Sequence, residues 1–480
     1  MPDRLTPLDV SFLYLEEPST AMHVGSVMLF RPAASGLDLA ALTEHIQARV
    51  APVPRYRQRV RTVPGRLANP VWVDDENFDI GAHIRRVQLP APGSAAQLED
   101  LVARVQARPL HRDRPLWEVV VVEGLDGGEF ALITKVHQAM VDGVHAVDLG
   151  QVILDEDAHH REPPQYLWKP GPEPTTLELV AEAVAESVGR PTRVLETLTA
   201  GLGDIRATAT KAAGALGGLG LAARTATRPV PRSPLNQEVG ETRRFRMVVT
   251  DLEDYRTIRT TLAARATPGA SRRRVQVSVN DVVLGVVAGA LRSWLLGRGV
   301  PVPPSASVRA LVPMSVKVAP DARAGAVGSR VSSLLIDLPT GEGNPLIRIA
   351  QVSYQTMAHR EAGMALDAQT IAGLAGFAPA TLHSLGARVA SGLSRHIYNL
   401  VVTNVPGPQT PLYLDGAQLT GSFPVIPLAR TQALSIGLTS YDGAVCYGLY
   451  ADHDAVPDLD VLGASLQECL TETLEALRER

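Results

Sequence analysis

The stretch Ile133-Thr134-Lys135-Val136-His137-Gln138-Ala139-Met140-Val141-Asp142-Gly143-Val144-His145 joins a strand pattern to a helix pattern. The run that begins at Ala131 and ends at Val136 is apolar and rich in β-branched residues, which is typical of a buried strand. A polar cluster follows, and Asp142-Gly143 introduces a run with helical spacing. A loop between a strand and a helix is a common place for reactive side chains, because loops on a rigid scaffold carry much of protein chemistry.

Three residues of this cluster have properties that chemistry could use. His137 could hold or move a proton, Asp142 could fix the loop, and Gly143 could permit a tight backbone. An ordinary strand-to-helix connection is the other interpretation, with Asp142 as an N-cap that accepts a hydrogen bond from an orphan N–H. The cluster by itself leaves both interpretations open.

Length and composition limit the classes of protein. A chain of 480 residues is long for a single core and predicts two or three domains. Apolar residues at 45% and charged residues at 20% are typical of a globular protein. The net charge of −4 gives no reason to expect nucleic acid as a partner. With only Cys446 and Cys469, neither a disulfide framework nor a thiolate zinc site is expected, and both cysteines are predicted to be small buried hydrophobes.

The sequence predicts a cytoplasmic protein, with peripheral attachment to a membrane left open. The N-terminus has no long apolar segment of the secretory type, and no run reaches the ~18 apolar residues that span a bilayer. Residues 176–227 are rich in Ala, Leu, Gly and Thr and carry flanking arginines. That composition predicts an inter-domain helical connector or a surface helix that touches lipid.

Two further features have competing interpretations. Period-two alternation in Arg55-Tyr56-Arg57-Gln58-Arg59-Val60-Arg61 would put four arginines on one face of a strand. That face could meet the phosphates of coenzyme A, or it could be a solvated edge strand protected by charge. His23 precedes a predicted strand from Val24 to Phe30 and is expected to be a satisfied loop histidine.

Other elements follow from periodicity. The predicted helices are 95–108, 252–265, 346–366 and 459–477, and one helix opens at Asn280-Asp281. The predicted strands are 117–123, 130–136, 245–250, 275–279, 311–314, 331–338, 400–404, 434–441 and 445–450.

Five short segments in order along the chain carry a family resemblance. His137 to Gly143 resembles the HHxxxDG motif of the bacterial wax ester synthase/diacylglycerol acyltransferase family, with Gln138 at the second His. The other segments are Pro7-Leu8-Asp9, Pro115-Leu116-Trp117-Glu118, Asn280-Asp281 and Asn404-Val405-Pro406-Gly407-Pro408. Ser329 stands where many relatives have Asn. Together the segments span nearly the whole chain.

The resemblance implies an α/β fold of two chloramphenicol-acetyltransferase-like domains, each a mixed β-sheet with flanking helices. The predicted units are an N-terminal acyltransferase domain (1–162), a Pro-rich and Ala/Gly/Leu-rich helical linker (163–240), and a C-terminal acyltransferase-like domain (241–480). A crossover segment at Asn404 to Pro408 and the linker join the two domains. The active site is expected in a tunnel where the domains meet.

The resemblance also implies an acyl-CoA-dependent O-acyltransferase that makes triacylglycerol from diacylglycerol, or wax esters from long-chain alcohols. The expected partners are acyl-CoA as co-substrate, the lipid alcohol, and a membrane or lipid-droplet surface. No cofactor and no metal are expected. A base should accept the hydroxyl proton, which contributes ~10²–10⁴-fold, and preorganised donors should stabilise the oxyanion.

By the same resemblance, His137, Gln138 and Asp142 are the catalytic set, with Asp142 in a structural role. Gly143, Asn280 and Asp281 are assigned to substrate binding, although Asn280 and Asp281 would serve equally as helix caps. Gln138 falls where the family generally has its base, and an amide cannot take up a proton near neutral pH.

Three outcomes follow from Gln138. His137 could turn inward and act as the base, Gln138 could orient the acceptor hydroxyl only, or the chain could be a catalytically silent protein that binds acyl lipids. His145 is a further candidate base. A condensation-type enzyme that uses carrier-protein thioesters is another alternative.

Overall fold

Two mixed β-sheets organise the chain. The computed structural model describes residues 3–33, 36–141, 149–158, 168–189, 230–231, 233–265, 277–316, 330–361, 366–367 and 397–479. The described helices are α1 (Pro7–Leu15), α2 (Leu39–Val50), α3 (Ala95–Ala107), α4 (Gln138–Val141), α5 (Leu149–Ile153), α6 (Thr176–Gly189), α7 (Leu252–Arg265), α8 (Val279–Gly297), α9 (Pro345–Glu361) and α10 (Leu459–Arg478).

The described strands follow the alternating and apolar runs of the sequence. They are β1 (His23–Arg31), β2 (Gln58–Arg61), β3 (Val71–Asp74), β4 (Ile84–Gln88), β5 (Trp117–Glu123), β6 (Phe130–His137), β7 (Arg243–Asp251), β8 (Val308–Val316), β9 (Arg330–Leu338), β10 (Leu366–Asp367), β11 (Leu400–Pro406), β12 (Tyr413–Leu414), β13 (Ala417–Val425), β14 (Leu434–Tyr441) and β15 (Ala444–Asp452).

The first sheet has the order β12-β13-β1-β6-β5-β4. β4 and β5 are parallel, whereas the other neighbours are antiparallel. All eight residues of β6 are buried, because the strand lies inside the sheet and both of its faces are covered. The prediction of a buried strand that ends at His137 is confirmed.

The first sheet is completed by residues from far along the chain. β12 and β13 follow the Asn404–Pro408 segment, and β13 pairs with β1 from Gly25 to Arg31. The predicted unit 241–480 therefore supplies two strands to the sheet that carries His137. The boundaries of the three predicted units themselves remain predictions.

The second sheet has the order β10-β9-β8-β11-β14-β15-β7. β11 runs parallel to both of its neighbours, and the remaining pairs are antiparallel, so this sheet is mixed as well. The predicted fold class, two mixed sheets with flanking helices, is confirmed. Cys446 on β15 and Cys469 on α10 are free and buried, also as predicted.

Helix α8 forms the apolar centre of the second half. It begins after Ser278, whose hydroxyl accepts a hydrogen bond from the backbone N–H of Asp281, and thirteen of its residues are buried. Among the described residues it is the one helix long and apolar enough to cross a membrane, but 72% of its apolar window is buried inside the structure. It is not a continuous apolar run, since Asn280, Asp281 and Arg292 interrupt it.

The predicted arginine strand was wrong. Pro54–Arg57 is a 3-10 turn, because Pro54 presets a helical φ at its first position. Arg55 lies over the Trp72 ring at 4.2 Å, whereas Arg59 and Arg61 on β2 both bind Glu173. The four side chains therefore do not share a face. Arg59 and Arg61 do, and they share the single negative charge of Glu173.

Two boundaries also differ from prediction. Val279 is the first residue of α8 and not the end of a strand, since Ser278 caps the helix. The helix predicted over 346–366 is α9, which ends at Glu361, and Leu366-Asp367 is a short strand. The helix start predicted at Asp142 lies outside the described residues, between α4, which begins directly after β6, and α5.

Candidate active site

The end of β6 is held on both sides by backbone hydrogen bonds. The N–H of His137 donates to the carbonyl of Leu116 at 2.9 Å, and the N–H of Gln138 donates to the carbonyl of Met22 at 2.9 Å. His23, the first residue of β1, is the register partner of His137. The last strand residue and the first residue of α4 are therefore fixed by two neighbouring chain segments.

A glycine lets α3 approach this strand end closely. A Cβ on Gly25 would overlap the carbonyl oxygen of Thr134 and the side-chain amide of Gln106. Because that space is free, Gln106 reaches across the strand and donates to the Thr134 carbonyl at 2.9 Å. Gly25 is thus required by packing, not by turn geometry.

The imidazole of His137 is sealed inside the first half, with 1% of the residue exposed. Its Nδ1 accepts a hydrogen bond from the N–H of Ala139 at 3.1 Å, so the neutral ring carries its proton on Nε2. Nε2 lies 3.7 Å from Oε1 of Glu16. Burial lowers the pKa of His137 to about 4, although the carboxylate of Glu16 opposes that shift.

The role of His137 as the base therefore stays a prediction. Nδ1 accepts the N–H of Ala139, whereas Nε2 is buried 3.7 Å from the Glu16 carboxylate and has no hydrogen-bond partner among the described residues. Strand alternation explains the orientation, because adjacent residues of an extended chain point to opposite faces. His137 is the last residue of β6, and its ring links that strand to α4 and lies beside the Glu16 carboxylate.

Gln138 follows His137 as the first residue of α4, and it is half-buried. Its carboxamide has one acceptor oxygen and two N–H donors, and it does not titrate. Of the two motif positions, this is the one whose side chain has access to solvent. The predicted site residues Asp142 and Gly143, as well as His145, lie outside the described residues.

Two more polar residues share the buried face with His137. His23 is the buried first residue of β1 and not the loop histidine that the sequence predicts. Its Nε2 lies 2.6 Å from the carbonyl oxygen of Gln106. Lys135 donates from Nζ to the carbonyls of Val105 (3.0 Å) and Arg108, which end α3. Burial lowers the pKa of Lys135 to about 8 and holds that of His23 well below its ordinary value.

The second half contributes an amide pair where α8 begins beside β11. Nδ2 of Asn404 donates to Oδ1 of Asn280 at 3.1 Å, so the Asn280-Asp281 and Asn404–Pro408 segments meet, as neither segment alone indicated. Nδ2 of Asn280 is buried, and no described residue accepts from it. The amide pair therefore retains donor capacity.

Asp281 is explained by its local structure. Its Oδ2 accepts from the backbone N–H and the hydroxyl of Ser278 at 2.8 and 2.7 Å, and its own N–H donates back to that hydroxyl. This is a capping box at the start of α8. Of the two interpretations given for Asp281, the structure shows the helix cap, and its assignment to substrate binding stays a prediction.

Gly407 in the Asn404–Pro408 segment is required by close packing. A Cβ at this position would overlap the carbonyl oxygen of Ser440, which accepts the N–H of Gly407 at 2.9 Å. The segment is thus fixed against β14 before the chain leaves for β12. This rigid exit agrees with the turn that the prolines predict.

Two cavities of about 380 and 400 Å³ lie among the described residues. The first is lined by polar side chains that include Asp75, His83 and Arg114, and the second lies against α9. Neither is lined by His137 or Gln138. Within the described ranges, no group of three or more His, Cys, Asp or Glu residues has the geometry of a metal site.

Comparison with known families gives matches over both halves of the chain. The wax ester synthase/diacylglycerol acyltransferase catalytic domain matches residues 5–267, and the C-terminal domain of the same family matches residues 327–475. Two relatives from Mycobacterium tuberculosis bear the names probable diacylglycerol O-acyltransferase tgs2 and tgs1. They are 32% and 30% identical, over 99% and 100% of this chain and 99% and 97% of their own.

Solved structures agree with this placement. The wax ester synthase/diacylglycerol acyltransferase from Marinobacter aquaeolei VT8 aligns over 98% of this chain and 99% of its own, with a TM-score of 0.68 and 27% identity. The first condensation domain of the CDA synthetase covers 99% of this chain and 96% of its own, with a TM-score of 0.54. At 15% identity, that second likeness concerns the fold alone. The chain belongs to the wax ester synthase/diacylglycerol acyltransferase family.

Proposed function

We propose that this chain is an acyl-CoA-dependent O-acyltransferase that makes triacylglycerol from diacylglycerol, and wax esters from long-chain alcohols. The observation that carries this proposal is the family match over both halves, together with full-length relatives that bear the name diacylglycerol O-acyltransferase. We place the reaction at the end of β6, where His137 is followed by Gln138 of α4.

The reaction joins a hydroxyl oxygen to the carbonyl carbon of a thioester. The O–C bond forms, the C–S bond breaks, and the hydroxyl proton ends on the sulfur of coenzyme A. We assign Oε1 of Gln138 to accept a hydrogen bond from the attacking hydroxyl, which holds it in line with the thioester. Because the carboxamide cannot keep the proton, the proton passes to the departing thiolate sulfur of coenzyme A.

This arrangement requires neither a covalent enzyme intermediate nor a cofactor. Its rate rests on proximity and on donors that stabilise the oxyanion. The unused Nδ2 of Asn280 is the donor that we assign to the substrates from the second half. Asp142 and Gly143 retain their predicted roles in shaping the loop.

A test of this function is product analysis with radiolabelled acyl-CoA. The purified full chain is incubated with diacylglycerol, with alcohols of increasing length, and separately with an acyl-carrier-protein thioester as donor. We expect labelled triacylglycerol from acyl-CoA and diacylglycerol, and a smaller yield of wax ester from long-chain alcohols.

Other results would contradict the proposal. Product from the carrier-protein thioester alone would identify a condensation-type enzyme. Absence of any ester from the parent chain, with tight retention of acyl-CoA or diacylglycerol, would identify a silent lipid-binding relative. Product from a Gln138→Ala variant at the parent rate would contradict the role of the carboxamide.

We further propose a cytoplasmic location with peripheral contact to membrane or lipid-droplet surfaces, because the alcohol substrates are lipids. Leu177 on α6 is exposed and lies at the start of the Ala- and Leu-rich segment 176–227, most of which is outside the described residues. Sedimentation with vesicles that contain diacylglycerol tests this contact. A chain that stays in the supernatant at low ionic strength would contradict it.

A further inference from the structure

Glu16 is a buried carboxylate immediately after α1, and its side chain is 6% exposed. Oε2 accepts from Nη2 and Nε of Arg112 at 2.7 and 3.2 Å. Oε1 accepts from the backbone N–H of Met22 at 3.2 Å and lies 3.7 Å from Nε2 of His137. One carboxylate thus contacts an arginine, a main-chain donor and the motif imidazole.

These contacts lead to Gln138 by two short routes. The carbonyl of Met22, whose N–H binds Glu16, accepts the N–H of Gln138. The other route passes through the ring of His137, whose Nδ1 accepts the N–H of Ala139 in the first turn of α4. The main chain around Gln138 is therefore fixed by two groups beside Glu16. The first is Met22, which is hydrogen-bonded to the Glu16 carboxylate, and the second is the His137 ring, which lies 3.7 Å from it without a hydrogen bond.

We propose that Glu16 is a positioning residue for the side chain at position 138, and this inference rests on the proposed function. Glu16 does not touch substrate. It fixes the main chain on which residue 138 stands, through Met22 on one side and His137 on the other. A shift of about 1 Å at a reacting group can cost about 10²-fold in rate, so the placement of this main chain bears directly on the rate.

A second buried glutamate provides a matched control. The side chain of Glu99 on α3 is 7% exposed, its Oε1 accepts from the backbone N–H of Met247 at 2.8 Å, and its Oε2 accepts from Nη1 of Arg246 at 3.0 Å. Glu99 has the same kinds of partner as Glu16 and makes no contact with residues 137–139. Its replacement by Gln should affect stability in a similar way but not the placement of residue 138.

The test combines each glutamate substitution with a change at position 138. Glu16→Gln and Glu99→Gln are made in the parent and in Gln138→His, whose imidazole supplies a base. Loss of positioning can remove at most what the side chain at position 138 contributes. We therefore expect Glu16→Gln to lower kcat about 10- to 100-fold in the Gln138→His background and less than about threefold in the parent. KM for acyl-CoA should stay within about twofold.

A second measurement does not depend on turnover. Hydrogen–deuterium exchange of the peptide that spans residues 136–141 should become faster in Glu16→Gln, because the Gln138 N–H loses its fixed partner, and should not change in Glu99→Gln. Where Glu16→Gln does not fold, Glu16→Asp keeps the charge and shortens its reach by one methylene. The same background-dependent loss is expected from that variant.

Two results would overturn the inference, and they are distinct. Equal fold-losses of kcat for Glu16→Gln in both backgrounds, matched by Glu99→Gln, would show that Glu16 contributes to folding alone while the proposed function stands. A parent and a Gln138→His variant that both make no ester, although folded, would overturn the proposed function and this inference with it.

Discussion

The two halves hold their polar groups in different ways. In the first half, the strand end is held by main-chain hydrogen bonds, and the His137 ring lies between the Ala139 N–H and the Glu16 carboxylate. In the second half, Asn280 and Asn404 bind each other by a single amide contact, and both protons on Nδ2 of Asn280 lack an acceptor among the described residues. The first arrangement specifies a geometry, whereas the second retains capacity to bind.

This difference predicts at which residues a substitution should lower the stability of the fold and at which it should lower turnover. A group whose polar atoms face internal partners is expected to affect folding when it is changed. A half-buried group with donors or acceptors that lack internal partners is expected to affect substrate binding or turnover when it is changed. Three substitutions and one change of pH test that distinction, and they follow in decreasing order of expected effect.

Gln138→His should give the largest change. A general base at this position is worth about 10²–10⁴-fold in kcat, because the hydroxyl proton is then accepted in the transition state. Initial rates of triacylglycerol formation from labelled acyl-CoA measure the change. A rate equal to or below that of the parent would show that position 138 does not meet the hydroxyl.

His137→Ala should act on stability. The change leaves the Ala139 N–H without its acceptor, which costs about 1–3 kcal/mol, and it opens a cavity that adds to this loss. Urea unfolding measures the difference in free energy. His137→Asn should recover part of this loss, because its amide oxygen can take the place of Nδ1. Equal stability of the parent and of His137→Ala would contradict a structural role for the His137 ring.

The stability of the parent should fall as the pH drops below about 6.5. The pKa of His137 is lowered to about 4 in the folded chain, so the unfolded chain binds more protons between these values. Stability from this group is complete above pH 6.5 and decreases by roughly 1.4 kcal/mol per pH unit toward pH 4. Unfolding at several pH values should show a slope that is smaller by about one proton in His137→Asn, and an unchanged slope would contradict the assignment.

Asn280→Ala should give the smallest effect. Loss of one hydrogen-bond donor to substrate is worth about 0.5–1.5 kcal/mol, or up to about tenfold in kcat/KM. The free energy of unfolding should change by less than about 1 kcal/mol, since the capping box of α8 is made by Ser278 and Asp281. A loss that appears only in unfolding, with kcat/KM intact, would place Asn280 with the structural groups.

Periodicity was sufficient for most of the fold. The apolar run before His137, the strand of Trp117–Glu123 and the helix Leu252–Arg265 were each predicted within one or two residues of their observed bounds. The predicted arginine strand is wrong because the ring of Pro54 starts a 3-10 turn, which interrupts the alternating pattern. Local patterns identify elements well where a single side chain does not override them.

The site was only partly accessible to sequence reasoning. Alternation predicted that residues 137 and 138 face opposite ways, and His137 and Lys135 do share the buried face. Nothing local signalled Glu16, because its contact with His137 depends on how α1 packs against the end of β6. The same holds for the Asn280–Asn404 contact, which requires the tertiary fold.

The pairing of β1 with β13 has a consequence for biosynthesis. At about 5–20 residues per second, roughly 20 to 80 s separate the emergence of Arg31 from that of Ala417. Throughout that interval one long edge of the nascent first sheet has no neighbour, and such an edge can recruit other chains. A ribosome-bound chain that stops before residue 413 should therefore need chaperone protection, and the reactive strand end should reach its final form only when synthesis is nearly finished.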